Sequence, residues 1–366
     1  MDTAVANLIE RIRAAAQSGA PLRIRGGGSK DFYGEPTQGE LLDTRVLTGV
    51  TNYEPSELVV TVRAGTPLAE LEALLAERGQ CLPFEPPHFE GGATVGGMVA
   101  AGLSGPARAS AGSTRDFVLG LSMVNGRGEL LTFGGQVMKN VAGYDVSRLM
   151  AGAMGTLGLI TEVSLKVLPQ APAEATLKFE MTQAVALQKL NEWGGKPLPL
   201  NASCWVDDGS TETLYLRLRG AVAAVESACR ILGGERQDNA QVAPDWTLCR
   251  DQHLPWFRER EDGDGRDLWR LSVAQTAPVL DLPEPPLVEW HGGQRWVRAL
   301  GSEAGRLRDI AAGAGGHATL FRAAHPEAGV PRFHPLAPAL ARIHNELKTQ
   351  FDPQHIFNRG RLFAHA

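Results

Sequence analysis

The chain has 366 residues, of which 43% are hydrophobic and 21% charged, and its formal net charge is -5. That length is enough for one large domain or two ordinary domains with a full hydrophobic core. The mild negative charge argues against a nucleic-acid-binding protein, which needs a basic face to meet phosphates. No segment approaches the roughly 18 consecutive apolar residues of a membrane-spanning helix, and the amphipathic amino end resembles neither a signal nor a transit peptide. We therefore expect a globular cytoplasmic protein.

The four cysteines, Cys81, Cys204, Cys229 and Cys249, lie far apart, and none belongs to a C-x-x-C pair. Iron–sulfur clusters and structural zinc sites are held by closely spaced cysteines, so neither is expected in this chain. We interpret the cysteines as reduced, buried thiols that serve as small hydrophobic side chains. No metal ligand is predicted.

The two halves of the chain differ in composition. Of the 42 glycines, 25 fall within residues 1–160, whereas all seven tryptophans come after residue 192. Two prolines in Leu168–Pro172 mark the joint between the halves. We therefore predict a first domain over 1–168, a second over 173–330, and a C-terminal helix and tail over 331–366 that returns towards the first domain. The tryptophans suit either the core of the second domain or a partner interface.

The first half is predicted to alternate short strands with short helices. The elements are an amphipathic helix over residues 1–19, strands over 22–25 and 58–62, a helix from Pro67 to Gly79, a hairpin of 117–124 and 129–133, and a strand over 160–167. The dipeptide Asn125-Gly126 predicts a type I′ turn in the hairpin. This order indicates an α+β fold rather than a regular series of βαβ units.

The second half carries fewer clear signals. Strands are predicted over 213–218 and 268–273, and a helix over 222–232, which Gly233 ends. Asp262–Gly265 is predicted to be a turn. A long C-terminal helix follows from apolar residues at helical spacing, and Asp352-Pro353 ends it. Those apolar residues are Leu336, Leu340, Ile343, Leu347 and Phe351.

The first segment with chemical content is Arg25–Lys30, RGGGSK, which follows a predicted strand. Consecutive glycines can adopt positive φ and point successive backbone N–H groups into one concavity that binds an anion. Arg25, Ser29 and Lys30 would add donors. A dinucleotide-binding G-x-G-x-x-G motif would need glycine at Asp31, and a P-loop needs G-K-[ST], so both are excluded. A plain glycine-rich turn is the alternative.

Three further glycine-rich segments follow in the first half. They are Gly91–Gly102, Gly112–Asp116 and Gly152–Gly158. The first has almost no bulky side chain, so its backbone can approach a flat ligand closely, and tight helix-on-sheet packing explains any single position equally well. The second offers hydroxyls and an acid, Asp116, that we expect to be buried. Four such loops beside strand ends favour a large, extended ligand with a pyrophosphate.

The motifs stand in a fixed order along the chain. They are RGGGSK, PPHFEGGATVGGMVAAGLSG, GSTRDFVLGLSMVNGRGE and KNVAGYDVSRLMAGAMGTLGLITEVSLKV, with FDPQHIFNRGR near the C-terminus. In this order they resemble the FAD-binding domain of the vanillyl-alcohol oxidase/PCMH flavoprotein superfamily. The resemblance implies an α+β fold: a PCMH-type FAD-binding domain of two α+β subdomains, followed by a smaller α+β domain with an antiparallel sheet.

The same resemblance implies which residues bind FAD. They are Arg25, Gly26, Gly27, Gly28, Ser29 and Lys30 in the pyrophosphate loop; Pro87, Thr94, Gly96, Gly97, Ala100 and Gly102 in and before the second loop; Ser113 and Asp116 in the third; and Gly158 and Ile160 along the ADP half. The pyrophosphate loop has no histidine or cysteine, although Cys81 and His88 flank the second loop, so non-covalent FAD is expected. Arg359 replaces the proline usual in the closing motif. Residues 139–145 are expected to cap and orient a helix.

Within this superfamily the chain is similar in particular to the FAD-binding E subunits of bacterial glycolate oxidases. The segments LRIRGGGSK, ELVVTVRAGTPLAELE, FEPPH and GGQVMKNVAGYDVSRLMAG carry this resemblance. It implies membership of a complex that oxidises glycolate, a small 2-hydroxy acid, to glyoxylate. The implied partners are a larger flavin subunit and an iron–sulfur subunit that takes up the electrons. Any membrane association of a cytoplasmic chain would then be made through those partners.

Oxidation of a 2-hydroxy acid needs a carboxylate clamp, usually arginine, and a base or metal for the hydroxyl. Catalytic relatives carry H-x-H or HGDG clusters, which this sequence lacks. The nearest candidates are His317 and His325, with Arg322 and Arg332, yet packing histidines and solvated arginines are the simpler interpretation. No catalytic residue is assigned. Two alternatives stay open: a self-sufficient FAD-dependent dehydrogenase of the D-lactate type, and a non-catalytic flavin-fold scaffold of the complex.

Overall fold

The structure, a computed structural model, describes residues 2–89, 91–135, 145–257, 265–326 and 329–363. The chain forms two compact units. Unit 1 comprises Met1–Leu103, Ser113–Gln170 and Pro335–Ala366, and unit 2 comprises Ser104–Gly112 and Ala171–His334. The predicted helix-capping residues Lys139, Asn140 and Tyr144, and most of the predicted turn at Asp262–Gly265, lie outside the described residues.

The elements up to Gln170 are short. The helices are α1 (Thr3–Ser18), α2 (Leu68–Ala76), α3 (Val95–Ala101), α4 (Arg108–Ala111), α5 (Thr114–Phe117) and α6 (Val146–Leu149). The strands are β1 (Leu22–Arg25), β2 (Glu40–Asp43), β3 (Val50–Glu54), β4 (Val59–Arg63), β5 (Gln80–Cys81), β6 (Val118–Val124), β7 (Leu130–Gly134), β8 (Leu159–Lys166) and β9 (Leu168–Pro169).

The remaining elements follow Ala171. The helices are α7 (Gln183–Gly194), α8 (Val222–Leu232), α9 (Asn239–Asp251), α10 (Ala304–Gly313) and α11 (Pro338–Phe351). The strands are β10 (Ala173–Glu180), β11 (Leu200–Asp207), β12 (Glu212–Gly220), β13 (Glu235–Arg236), β14 (Asp267–Ser272), β15 (Leu287–Glu289), β16 (Gln294–Ala299) and β17 (His317–Arg322). None of the described helices combines the length and the apolarity that a bilayer crossing requires.

Unit 1 is built around an antiparallel sheet. Over its described residues the strand order is β3-β4-β8-β6-β7. The central strands β4 and β8 are rich in β-branched residues and almost fully buried. Val60, Val62 and Val163 of these strands pack with Leu71 of α2 and Met98 of α3 in one core cluster. The mixture of helices with antiparallel sheets confirms the predicted α+β class.

The hairpin between β6 and β7 differs from the prediction in its turn. Asn125-Gly126 does not form a two-residue type I′ turn, because the ladder ends early and leaves residues 125–129 as a loop. Asn125 Oδ1 accepts the N–H groups of Arg127 and Glu129, both at 3.0 Å, and the positive φ (70°) falls on Gly128. The asparagine side chain therefore closes a longer turn than the dipeptide signal indicates.

A second, small sheet brings the two ends of unit 1 together. β1 pairs with β2 in parallel, and Leu22 of β1 also forms a parallel bridge with Phe357 of the C-terminal tail. The Leu22 N–H donates to the Ile356 carbonyl at 2.7 Å, and the Asn358 N–H donates to the Leu22 carbonyl at 3.0 Å. Residues 356–358 thus lie directly beside the strand that leads into the first glycine loop.

A buried ion pair holds this tail in place. Lys348 near the end of α11 is 2% exposed, and its ammonium donates to Asp352 Oδ2 at 2.8 Å and to the carbonyls of Thr156 (2.7 Å) and Phe357 (2.8 Å). Asp352, 0% exposed, accepts the N–H groups of Ile356 and Phe357. Burial lowers the pKa of Lys348, and the Asp352 carboxylate opposes that shift. All three ammonium protons have acceptors, which a buried charge requires.

Unit 2 contains a larger antiparallel sheet. Its described strands lie in the order β13-β10-β12-β11-β15-β16-β14-β17. Leu190 of α7 and Val225 of α8 pack on one part of it, and Leu307 of α10 packs on another. Six tryptophans are buried: Trp193, Trp205, Trp246, Trp269, Trp290 and Trp296. Of the two predicted roles for the tryptophans, the core of the second half is therefore the one that these six occupy.

The units differ from the predicted domains by two to four residues at the joints, since unit 1 runs to Gln170 and unit 2 from Ala171 to His334, and they differ more substantially at one internal segment. The chain leaves unit 1 after Leu103, contributes Ser104–Gly112 to unit 2, and re-enters unit 1 at Ser113. The excursion is too short to change the composition of the first half, so no sequence signal marks it. The tail from Pro335 belongs to unit 1.

We predict that Lys348→Met lowers the free energy of unfolding by about 3–5 kcal/mol, because it leaves the Asp352 carboxylate buried without its cation. Thermal and chemical denaturation would measure the loss. Arg342→Met is the matched control: Arg342 pairs with Glu346 at 3.8 Å on the exposed side of the same helix, and its loss should cost no more than about 1 kcal/mol. Equal effects of the two substitutions would contradict the conclusion that the buried Lys348–Asp352 ion pair holds the C-terminal tail in place.

Candidate functional site

A cavity of about 280 Å³ in unit 1 brings most of the glycine-loop residues together. Nine of the predicted FAD-binding residues line it: Arg25, Gly26, Gly27, Gly28, Ser29, Lys30, Thr94, Gly97 and Ala100. Residues not predicted for the site complete the lining: Arg23, Ile24, Asp31, Pro36, Thr37, Ala101, Met154, Asn358 and Arg361. Four separate stretches of the chain therefore meet around one space.

The glycines of the first loop are required by contact with the second loop. A Cβ on Gly27 would overlap the carbonyl group of Gly92, and a Cβ on Gly26 would overlap the hydroxyl of Thr94. Gly28 has a φ of +80°, which side-chain-bearing residues seldom adopt. The two loops thus touch at Gly27 and Gly92 through main-chain atoms, which explains why positions 26 and 27 carry no side chain.

Helix α3 presents its first turn to the cavity. Thr94 caps the helix, and its Oγ1 accepts the N–H of Gly97 at 3.2 Å. A Cβ on Gly97 would meet only that oxygen, at 3.0 Å, so it requires a small shift of the Thr94 hydroxyl and finds no other atom within 4 Å. Gly96 differs, because its Cβ would lie 2.6 Å from the Ala64 Cβ and 2.9 Å from the Ala64 carbonyl oxygen. Neighbouring glycines therefore have different roles: Gly96 permits packing, and Gly97 leaves room for a ligand.

Basic side chains surround the bare backbone. Arg25 folds back over Gly28 and forms an ion pair with Asp31 at 2.6 Å. Lys30 reaches Ser29 Oγ at 3.2 Å and lies over the ring of Phe89 at 5.4 Å. The Nε of Arg23, which also lines the cavity, is buried and makes no hydrogen bond among the described residues. A buried guanidinium nitrogen without an acceptor is a costly arrangement that an anionic ligand would relieve.

The C-terminal tail supplies the part of the lining that sequence reasoning missed. Asn358 Oδ1 accepts the Ile24 N–H at 2.8 Å, and its Nδ2 donates to the Met154 carbonyl at 2.7 Å. Arg361 donates to the carbonyls of Glu35 (2.7 Å) and Asp31 (3.1 Å). The closing motif FDPQHIFNRGR contained both residues, but the sequence offered no way to assign them to this cavity.

The other predicted site residues lie outside this lining. They are Pro87, Gly96, Gly102, Ser113, Asp116, Gly158 and Ile160. Gly102 ends α3 with a φ of +63° and lies against Gly152, and Ile160 is a buried residue of β8. Ser113 and Asp116 form a capping box at the start of α5, in which the Ser113 Oγ donates to Asp116 at 2.8 Å. Their contact with FAD stays a prediction.

The expected burial of Asp116 is wrong. Asp116 is exposed. Its carboxylate accepts hydrogen bonds in the capping box at the exposed first turn of the four-residue helix α5, so it does not enter the core. A short polar residue before a strand is equally compatible with both positions in the sequence.

Unit 2 contains no comparable collection of residues. His317 begins β17 and His325 lies beyond its other end, so several extended residues of about 3.3 Å each separate the two imidazoles. They do not form one site. No group of three or more histidine, cysteine or acidic side chains suited to a metal ion occurs in the described parts of the chain. The four cysteines are free thiols, of which Cys204 and Cys249 are buried.

A cavity in unit 2 has a different character. It has a volume of about 700 Å³ and is lined largely by apolar side chains, among them Val242, Trp246, Leu254 and Leu287. Among the described residues of its lining, Arg298 is basic and four are acidic. Such a surface suits an apolar ligand and offers little to a diphosphate. The smaller, basic, glycine-lined cavity of unit 1 is the better candidate for nucleotide binding.

Comparisons with known proteins agree with that choice. Residues 3–134 match a family described as FAD binding domain. The chain is 45% identical over 358 residues to the glycolate oxidase subunit GlcE of Escherichia coli (strain K12), which covers 98% of this chain and 97% of that one. It is 32% identical over 159 residues to the glycolate oxidase subunit GlcD of Bacillus subtilis (strain 168), covering 43% of this chain and 34% of the relative.

A solved structure shows the same fold at low identity. A crystal structure of p-cresol methylhydroxylase with substrate bound superimposes with a TM-score of 0.71 at 13% identity, covering 99% of this chain and 87% of that one. This likeness concerns the fold alone. Together with the α+β elements it confirms the predicted PCMH-type architecture.

We predict opposite consequences for two adjacent substitutions. Gly97→Ala should leave the free energy of unfolding within about 1 kcal/mol of the original, because alanine suits a helix and its Cβ meets only the hydroxyl at the end of the Thr94 side chain, yet its methyl group should weaken FAD binding. Gly96→Ala should destabilise the fold by about 1–3 kcal/mol, because the new Cβ meets Ala64. Thermal unfolding and a flavin titration of each variant distinguish the two. If Gly97→Ala binds FAD as tightly as the original chain, the prediction that FAD lies against Gly97 of α3 is wrong.

Proposed function

Because this chain belongs to the family of the glycolate oxidase subunit GlcE, we propose that its unit 1 cavity holds non-covalent FAD and that it works within a complex that oxidises glycolate to glyoxylate. The observation that carries the proposal is the cavity of Arg25–Lys30, Thr94 and Gly97, where bare main chain and basic groups meet. Among the described residues that line this cavity there is no cysteine or histidine to which a flavin could be attached.

The residues present suit the diphosphate of FAD. The N–H groups of the Gly26–Gly28 turn, together with Ser29 and Lys30, would donate to its oxygens. Arg23 would give its unsatisfied Nε–H to the anion, and Arg361 would keep the 30–35 segment against the cavity. The bound flavin supplies a two-electron acceptor for oxidation of an alcohol carbon. Because no side chain projects from the glycines, the cofactor can lie directly against the backbone.

The proposal includes two partner subunits. A larger flavin subunit is proposed because this chain has a GlcE-type relative, and a GlcD-type glycolate oxidase subunit matches part of the chain. An iron–sulfur subunit is proposed because the described residues offer no cluster of metal ligands that could carry electrons onwards. The substrate site is proposed to be degenerate in this chain or to lie on a partner, since His317 and His325 do not converge.

We predict that the purified chain carries about one FAD per chain and releases it on acid precipitation. The reason is that main-chain amides and basic groups hold the diphosphate without a covalent bond. Absorbance of the supernatant and of the washed pellet measures both quantities. Flavin that stays in the pellet contradicts non-covalent binding, and a folded chain that FAD cannot reconstitute contradicts the proposed cofactor.

A second experiment separates the proposed function from its alternatives. Anaerobic mixing with glycolate should leave the flavin of the isolated chain oxidised and should reduce flavin when the partner subunits are present. Bleaching of the isolated chain by glycolate or D-lactate would instead identify a self-sufficient dehydrogenase. In the assembled complex, reduction of the partner's flavin alone during turnover would identify a scaffold.

A further inference from the structure

A nine-residue segment links unit 2 to the cofactor loops by peptide continuity. The chain leaves unit 1 after Leu103 and returns at Ser113, and Ser104–Gly112 belongs to unit 2. The segment lies inside the stretch that matches the FAD-binding family, residues 3–134. Gly102, at the end of the second glycine loop, is separated from it by Leu103 alone, and the predicted third loop begins with its last residue, Gly112. Whatever holds this segment therefore restrains the chain just after the second predicted loop and at the start of the third.

Two consecutive residues of unit 2 hold the segment. The indole N–H of Trp290 donates to the Gly105 carbonyl at 3.0 Å in a buried hydrogen bond, and the guanidinium of Arg108 lies 4.5 Å from the centre of the Trp290 ring. The Nε2 of His291 lies 2.9 Å from the Ser110 Oγ. Each of these contacts is made inside unit 2.

The backbone of this holding turn is strained. Trp290 and His291 both have a φ of +53°, and Gly292 follows at +99°. The left-handed region is unfavourable for residues with side chains, and such strain persists only where surrounding contacts impose it. Here Ser203, fully buried on β11, accepts the His291 backbone N–H at 2.9 Å and lies 3.1 Å from its Nδ1. In this left-handed backbone conformation, the side chains of both Trp290 and His291 reach the segment.

The imidazole of His291 forms its hydrogen bonds in the neutral state. Burial lowers the pKa of His291 to about 4, so it is uncharged at neutral pH. A neutral imidazole has one donor and one acceptor nitrogen, and the hydroxyls of Ser110 and Ser203 can complement both. The contact with Ser110 therefore depends on hydrogen-bond geometry rather than on an ion pair.

We propose that Trp290 and His291 are positioning residues for the flavin: by holding Ser104–Gly112 they set the geometry of the cofactor loops on either side of it. This inference rests on the proposed binding of FAD in unit 1. The two residues act through the segment. Unit 2 thereby tunes FAD affinity and the electronic environment of the flavin.

The test compares two tryptophan substitutions that remove the same kind of bond. Trp290→Phe removes the N–H that reaches Gly105. Trp205→Phe removes a matched bond, since the buried Trp205 donates its indole N–H at 3.0 Å to the carbonyl of Met181, a residue outside the segment. Titration of each deflavinated chain with FAD should show at least fivefold weaker binding for Trp290→Phe and less than twofold for Trp205→Phe. The visible circular dichroism of the bound flavin should change only in the first.

A direct measurement of the segment accompanies the titration. Trypsin cleaves after Arg108, so the rate of cleavage there should rise at least fivefold in Trp290→Phe and remain within twofold of the original in Trp205→Phe. If Trp290→Phe fails to fold, the exposed Ser110 provides the second pair of variants. Ser110→Ala should weaken FAD binding about threefold, and Ser110→Thr, which keeps the hydroxyl, should restore it.

The outcomes separate this inference from the proposed function. If the original chain binds FAD but the variants match their controls in both affinity and flavin dichroism, the positioning role is overturned and the cofactor assignment stands. If the two tryptophan variants weaken FAD binding equally, the effect is one of general stability, and the positioning role is again overturned. If the original chain does not bind FAD, both proposals fail.

Discussion

The arrangement of unit 1 depends on one close contact between two stretches of main chain. Gly27 lies so near the carbonyl of Gly92 that no Cβ could fit between them. This contact explains why residue 27 carries no side chain, and the absence of one leaves the backbone uncovered on the cavity side. The basic groups around this backbone, including the unsatisfied Nε of Arg23, are the donors that the proposed diphosphate site uses.

The C-terminal tail adds a second set of contacts, which join the two ends of unit 1 beside the same cavity. Residues separated by more than three hundred positions in sequence share hydrogen bonds, as Asn358 does with Ile24. The tail is held by Lys348 and Asp352, whose buried charges are fully hydrogen-bonded. The cost of burying two charges is offset only when every donor and acceptor is satisfied. The pair therefore fixes one geometry of the tail, and with it the position of Asn358 in the lining.

The comparisons cover the chain to different extents. The likeness to the GlcE subunit runs over 98% of the chain and so includes unit 2, whereas the likeness to the GlcD subunit covers 43%. The FAD-binding family match ends at residue 134. The fold likeness to p-cresol methylhydroxylase covers 99% of the chain, so the fold of unit 2 is shared beyond the GlcE relative. Unit 2 also contains six buried tryptophans and a strained turn at Trp290–Gly292.

The sequence by itself determined the α+β class, the FAD-binding family and the loops at Arg25–Lys30 and Thr94–Ala100, because these depend on local composition and on the order of motifs. Only the tertiary structure decided that Asn358 and Arg361 join the same cavity, that Gly96 serves packing while Gly97 leaves space, and that Ser104–Gly112 belongs to unit 2. Those facts depend on contacts between residues far apart in sequence, and local sequence patterns do not indicate which distant segments come into contact.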